Sequence, residues 1–325
     1  YFDLARQPDG SFCHLGPPQE RNDKYAKWDA TGAYLLAYAL PLKKLVLTGK
    51  QPSTSPTMDA NSAASLLADG QGWSNRDRTS FYAKLDQEEL LQRLRSWSPI
   101  VRERAAMALA RTKASPVSKL VKMLSDRSLE ARYGACQALA QLRGKAGPAV
   151  AALEKSLRHR DLWLRVKAAD ALSQIGAAAM PALPSLLTAL AKAPKTSDPR
   201  GMEQRYLCFA LFDSRNGMLR RSLDNVDRKA LYTAIRAGLK NEDGRARSAV
   251  SSIYDKLSFQ TLEPLLPAIY EATMEPSPSG IMFADGVRMA GLKLMAKHSI
   301  EEGVGACVHY VRHQKKHGSQ KRVPQ

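Results

Sequence analysis

Three segments of this chain repeat one another: Val101–Ala110 (VRERAAMALA), Ala131–Ala140 (ARYGACQALA) and Leu164–Ser173 (LRVKAADALS). Aligned, they bring Arg102, Arg132 and Arg165 into register, 30 and 33 residues apart. A period of that size is one helical hairpin, too small to bury its apolar face alone and therefore stacked on its neighbours. Stacked arrays present surfaces more readily than enclosed pockets. The period thus constrains the class of function as well as the fold.

Composition agrees with a helical array. The 325 residues are 44% hydrophobic and 25% charged, with only 7% aromatic, and alanine and leucine, both good helix formers, carry the apolar load. Segments alternating with period two are few, so strands find little support. The length allows two domains, or one domain plus a repeat array. Cys13, Cys136, Cys208 and Cys307 are widely separated, without the spacing of a disulfide framework or a zinc knuckle. The longest apolar stretch, Tyr34 to Leu42, is too short to cross a bilayer and contains Pro41. Because the chain opens at Tyr1 with mid-domain sequence, any signal peptide is expected upstream.

The expected fold is all-α: an α-solenoid preceded by a different helical fragment. Residues 1–48 combine loop material around Gln7–Phe12 and Gly16–Pro18 with a helix near 22–47. Residues 49–78 read as a Pro/Ser/Thr linker followed by a short helix. The array spans 79–316, and 317–325 form a basic tail. Its hairpins are predicted at 86–96 and 99–112, 116–125 and 128–142, 147–158 and 161–175, 181–192 and 201–213, 226–240 and 243–257, and 260–274 and 282–297, with a last helix at 300–316. Pro99 suits a first helical turn, Asp161 an N-cap, and Gly144 and Gly176 helix ends.

The Val-Arg-x-x-Ala-Ala-x-Ala-Leu pattern of each second helix resembles HEAT repeats of the short bacterial type, well over 85–257 and loosely to 316. Small residues at +3 and +4 from each arginine allow close helix approach, and Leu109, Leu139 and Leu172 fill the shared core. The resemblance implies a right-handed superhelix, with a structural ladder in which Arg102, Arg132 and Arg165 pair with turn acids such as Asp126 and Asp161. Arg247 fills the same slot in repeat five. Gln7, Gly10 and Phe12 resemble the turn before an inner helix of an α/α toroid, as in terpenoid cyclases and protein prenyltransferases. The whole is similar to a bacterial family joining a toroid to C-terminal HEAT repeats.

Motifs for chemistry are absent from the sequence. Gly49-Lys50 lacks the first glycine and the hydroxyl of a phosphate loop, and Gly70-Gln-Gly72 has Asn75 in place of the third glycine of a dinucleotide fingerprint. None of the six histidines precedes a glutamate, unlike the iron ligands of HEAT-type hydroxylases. The acidic proton-donor motif of a cyclase and the zinc-binding histidine of a prenyltransferase are also missing. His309, His313 and His317 share one helical face, but Arg312, Lys315 and Lys316 crowd it, so the face is read as a solvated basic helix end. No cofactor and no metal are expected.

Two surfaces remain. Exposed positions on the second helices run Glu103/Met107/Arg111, Tyr133/Gln137/Gln141 and Val166/Asp170/Gln174. Of these, Met107, Arg111, Tyr133, Gln137 and Asp170 are candidates for binding a protein or peptide, while Trp163 reads as inter-repeat packing. The net charge is +18, with 17 Lys/Arg against 5 Asp/Glu between Leu91 and Lys167. This makes Arg127, Arg143, Lys145, Arg158 and Arg160 candidates for contacting nucleic acid or another polyanion. The favoured expectation is a non-catalytic scaffold that binds a protein or peptide along the concave face of the solenoid, formed by the second helices. Polyanion binding is the alternative, and an accessory tail to a toroid enzyme is a third reading.

Overall fold

The computed structural model describes residues 81–96, 99–192, 198, 201–221, 223 and 226–316; at 100 and 313–316 only the backbone is described. The expected toroid segment, the linker and the basic tail lie outside them. The described residues are α-helical with short 3-10 turns and no strand, save one isolated bridge between Asp243 and Ser279. Two compact units divide at Ala114/Ser115.

The first unit contains repeat one, α1 (Gln87–Arg93) and α2 (Pro99–Leu109). Asp86 and Glu89 close a reciprocal capping box at the start of α1. Repeats two to six make up the second unit: α3 (Val117–Met123) with α4 (Leu129–Leu142), α5 (Val150–Ser156) with α6 (Leu162–Ile175), and α7 (Leu183–Ala191) with α8 (Met202–Phe212). There follow α9 (Arg228–Leu239) with α10 (Gly244–Ser251), then α11 (Phe259–Leu262) and α12 (Leu266–Met274) with α13 (Ala284–Lys297), and finally α14 (Glu302–Lys316). The second, or B, helices form one layer in which α4 packs on α6, α6 on α8, α8 on α10 and α10 on α13. The first, or A, helices form the other, α7 on α9, α9 on α12 and α12 on α14.

The repeated small residues do the expected packing. Ala135, Cys136, Ala168 and Ala169 are fully buried, as are Leu139 and Leu172. Burial pushes the Cys136 thiol up to about 12, so it behaves as a small hydrophobe. Side-chain caps start most B helices: Ser128 accepts from Ala131 N–H, Asp161 from Leu164 N–H, and Asp243 from Arg245 N–H. Asp198 caps α8 with both carboxylate oxygens, accepting from Met202 and Glu203 N–H at 2.9 and 2.8 Å. The helical run 162–191 is long and apolar enough by composition to cross a membrane. It is broken at Gly176, however, and carries Arg165, Lys167 and Asp170.

Helix ends correct one expectation. The left-handed residue after α4 is Arg143 (φ 52°), not Gly144, and Gly176 (φ 78°) takes the equivalent place after α6. The positive φ is what calls for glycine at Gly176; the Arg221 guanidinium carbon, 2.9 Å from where a Cβ would stand, ends a flexible side chain that can move aside. Arg143 has no such freedom and stores strain.

The in-register arginines reveal what holds each hairpin together. Arg102 Nη1 donates to the Ser96 carbonyl at 2.6 Å, Arg132 Nε to the Asp126 carbonyl, Arg165 Nη1 to the His159 carbonyl at 2.8 Å, and Arg247 Nε to the Asn241 carbonyl at 2.8 Å. Every acceptor lies six residues upstream, just past the A helix, where carbonyls have no intrahelical partner. In repeat four the slot holds Gln204, whose amide donates to the Leu190 and Lys192 carbonyls at 3.1 and 2.7 Å. Donor-to-carbonyl bonds thus close each of these hairpins, and Arg165 does not take Asp161 as its carboxylate partner. Asp161 instead accepts from Leu164 N–H and from the Tyr133 hydroxyl, both at 2.8 Å. The carboxylate that meets Arg165 is Glu203 of the next repeat, bidentate at 2.6 Å, with Arg165 only 3% exposed. Arg132 also donates to His159 Nε2 at 2.9 Å. Desolvation, then Arg132, hold that imidazole below its ordinary value.

Three outcomes follow for stability, each read from urea denaturation midpoints. Arg143→Gly should stabilise the chain by about 1 kcal/mol by relieving the positive φ. Arg165→Ala should cost about 2–3 kcal/mol, because Glu203 and two carbonyls lose their partner at a site only partly open to solvent, whereas Arg165→Gln keeps a carbonyl donor and should lose less. Desolvation and the neighbouring Arg132 hold the folded value of His159 below its unfolded value of about 6.5. Its contribution is present above that pH and is lost as pH falls through the folded value. His159→Gln should flatten the slope of stability between about pH 7 and pH 5.

Candidate interaction surface on the B helices

The B helices α6, α8 and α10 bring exposed Trp163 and half-buried Tyr206, Phe209, Arg205 and Arg245 together near their starts. At the centre is the groove between α6 and α8, with a volume of about 360 Å³, lined by Trp163, Lys167, Asp170 and Gln174 on one wall and Tyr206 and Phe209 on the other. Helical spacing explains the walls: 163, 167, 170 and 174 recur every three to four residues on one face of α6, as do 206 and 209 on α8. The floor is fixed by Ser173 Oγ, which donates to the Asn216 carbonyl at 2.9 Å, and by Asp213, which accepts from Arg215 N–H at 2.8 Å.

Three rings meet edge to face along this groove. Trp163 and Tyr206 have centroids 5.9 Å apart at 68°, and Tyr206 and Phe209 lie 5.7 Å apart at 86°. Trp163 packs across the repeat boundary as expected, yet it remains 44% exposed. The Arg205 guanidinium sits 5.0 Å over the Tyr206 ring and donates to Asp243 at 2.7 Å. Arg245, 3.4 Å from the same carboxylate, lies 5.8 Å over Phe283. Burial alone would raise the Asp243 carboxyl, but hydrogen bonds from Arg205 and the Arg245 N–H hold it below the usual range. Beyond Phe283, Ile281 and Met282 are 70% and 79% exposed. The start of the B layer is thus a connected row of aromatic and arginine side chains from repeat three to repeat six.

The residues predicted for partner binding fall into different places. Met107 and Arg111 are exposed in the first unit. Tyr133 and Gln137 are half-buried on α4, and Tyr133 is braced to Asp161 of the next repeat. Asp170 alone joins the groove. It keeps solvent access, but desolvation by the walls raises its carboxyl, opposed by the Gln174 hydrogen bond and by Lys167. Val166, expected at the surface, is buried because the neighbouring repeat covers it. Sequence reasoning missed Tyr206, Phe209, Arg205 and Arg245, whose significance comes from contacts between repeats.

The predicted polyanion set, Arg127, Arg143, Lys145, Arg158 and Arg160, is exposed throughout but is not brought together. Arg127, Arg158 and Arg160 lie in the turns that lead into α4 and α6, whereas Arg143 and Lys145 follow the far end of α4. A 14-residue helix, roughly 20 Å long, separates the two edges. Among the described residues no group of three or more His, Cys, Asp or Glu has the arrangement to hold a metal ion. His309 is exposed on α14, and His317 lies outside the described residues.

Comparison with known proteins agrees with the arrangement of paired helices. Residues 88–151 and 117–202 match HEAT repeats, and residues 1–49 match a family described as a domain of unknown function, DUF6288. No curated protein and no solved structure matches the chain. The chain carries HEAT repeats over residues 88–202.

Proposed function

We propose that the protein is an interaction scaffold that captures a protein or peptide on its B-helix layer, anchored at the α6/α8 groove. HEAT repeats commonly serve as such scaffolds. The observation that carries the reading is Trp163, a large ring held in place by Tyr206 yet 44% exposed over a groove. Interfaces draw most of their energy from a few Trp, Tyr and Arg side chains set in preformed surroundings, and this row supplies all three. Tyr133 has a structural share, since its hydroxyl already serves Asp161. Gln137 and Asp170, on the same unit as the groove, are secondary contacts in this reading, and Met107 and Arg111 are separate candidate contacts on the first unit.

Polyanion binding is the second reading, favoured by the exposure of all five basic residues. Their division between two edges suits separate phosphate contacts better than one continuous track. The two readings differ in their response to salt and to substitution. A captured protein partner should survive a rise from about 0.15 to about 0.5 M salt and should bind Trp163→Ala at least ~10-fold more weakly. Tyr133→Phe should lower stability by about 1 kcal/mol with little effect on capture. If binding instead collapses with salt, falls on charge reversal at Arg127, Arg158 and Arg160, and ignores Trp163→Ala, the scaffold reading fails. Affinity capture with the full chain at the two salt concentrations makes the distinction.

A further inference from the structure

The last helix of the stack has two unlike faces. On one, Ala306 and Tyr310 are buried against Leu292 and Met295 of α13. Gly303 approaches so closely that a Cβ there would lie 2.8 Å from Met295 Cβ. On the other, Val304, Val308 and Val311 are 69%, 45% and 38% exposed. At roughly 100° per residue they form a single stripe about 60° wide, opposite the buried face. A stack of repeats ordinarily ends in a polar outer face, because no further repeat covers it. Among the described residues, the outer face of α14 is aliphatic over Val304, Val308 and Val311.

Charge along the helix selects the occupant. Glu301 and Glu302 stand at its start, and Arg312, Lys315 and Lys316 at its end. A second α14 laid alongside in the same direction would bring like charges together. Laid antiparallel, it brings acids against bases at both ends. With the centre between Cys307 and Val308, Val304 falls opposite Val311 of the second copy, and position 301 falls next to position 315. Cys307, exposed beside the stripe, then lies close to its own symmetry mate. We propose that α14 is a self-association face, on which two copies of the chain pack antiparallel across Val304, Val308 and Val311.

Such an interface is isologous, so each contact occurs twice. One helix face per copy buries less than the roughly 1,200 Å² of a standard stable interface, which makes the association weak. Sedimentation velocity on the full chain from about 1 to about 200 μM should show a monomer–dimer equilibrium. Val308→Glu should weaken it at least ~10-fold while circular dichroism stays unchanged. Glu301→Lys should weaken it, and the double variant Glu301→Lys/Lys315→Glu should restore it, a rescue that tests the antiparallel register even if Val308→Glu fails to fold. In a Cys13→Ser background a short bismaleimide should cross-link Cys307 to Cys307. Trp163→Ala should leave the dimer intact, which separates this result from the partner reading. A chain that stays monomeric over the whole range, a Val308→Glu variant that dimerises like the parent, or a charge exchange that fails to restore association would overturn the proposal.

Discussion

The fold depends on a bond made in each of repeats one to five: a side-chain donor near the start of a B helix reaches the carbonyls that its A helix leaves unpaired. Arg102, Arg132, Arg165 and Arg247 make this bond to the residue six positions upstream, and Gln204 makes it with a neutral amide. Because Gln204 serves in the same place, the essential property is donation to a carbonyl rather than positive charge. The bond fixes the angle at which each hairpin closes. That angle decides which residues of the B helix meet the next repeat and which face water.

Charge enters at a second level, between repeats. Arg165 spends its remaining donors on Glu203, 38 residues on, and Arg205 reaches Asp243 over the same interval. These pairs bind one hairpin to the next and hold the starts of α6, α8 and α10 in a row. The aromatic groove follows directly. Trp163 and Tyr206 meet because their helices are locked at that end, while Ser173 and Asp213 fix the turn below them. A rigid row of rings and guanidinium groups binds with a small loss of conformational freedom, which is why the groove, and not the scattered basic residues, is the stronger candidate for capturing a partner.

Much of the array was legible in the sequence. Small residues (alanine, or Cys136) at +3 and +4 and leucine at +7 from Arg102, Arg132 and Arg165 fix close packing, and the predicted helix pairs match the structure to within a few residues for most elements. What escaped was non-local. Gln204 was hidden because the eight-residue break 193–200 shifts the spacing and the residue type changes. Glu203 could not be assigned to Arg165 from any local pattern. Arg143 takes a left-handed conformation one residue before a glycine that could have taken it at no cost, a choice set by where α4 ends against the 3-10 turn Arg143–Ala149. Trp163 was legible as a packing residue but not as an exposed anchor, since its partners Tyr206 and Phe209 belong to another repeat. The toroid resemblance rests on residues 1–48, outside the described part of the chain.

The central claim is that slot donors hold each hairpin to its own turn and thereby to its neighbours. Gln204 tests it cleanly, because its amide binds the end of α7 while its oxygen accepts from Asn241 at 3.3 Å in the turn before α10. Gln204→Leu keeps the volume and removes all three bonds. Hydrogen–deuterium exchange should then show faster exchange concentrated at residues 186–192 and 239–244, with α3 to α5 unchanged. Unaltered exchange at those two places, or a uniform loss across the whole unit, would contradict the account.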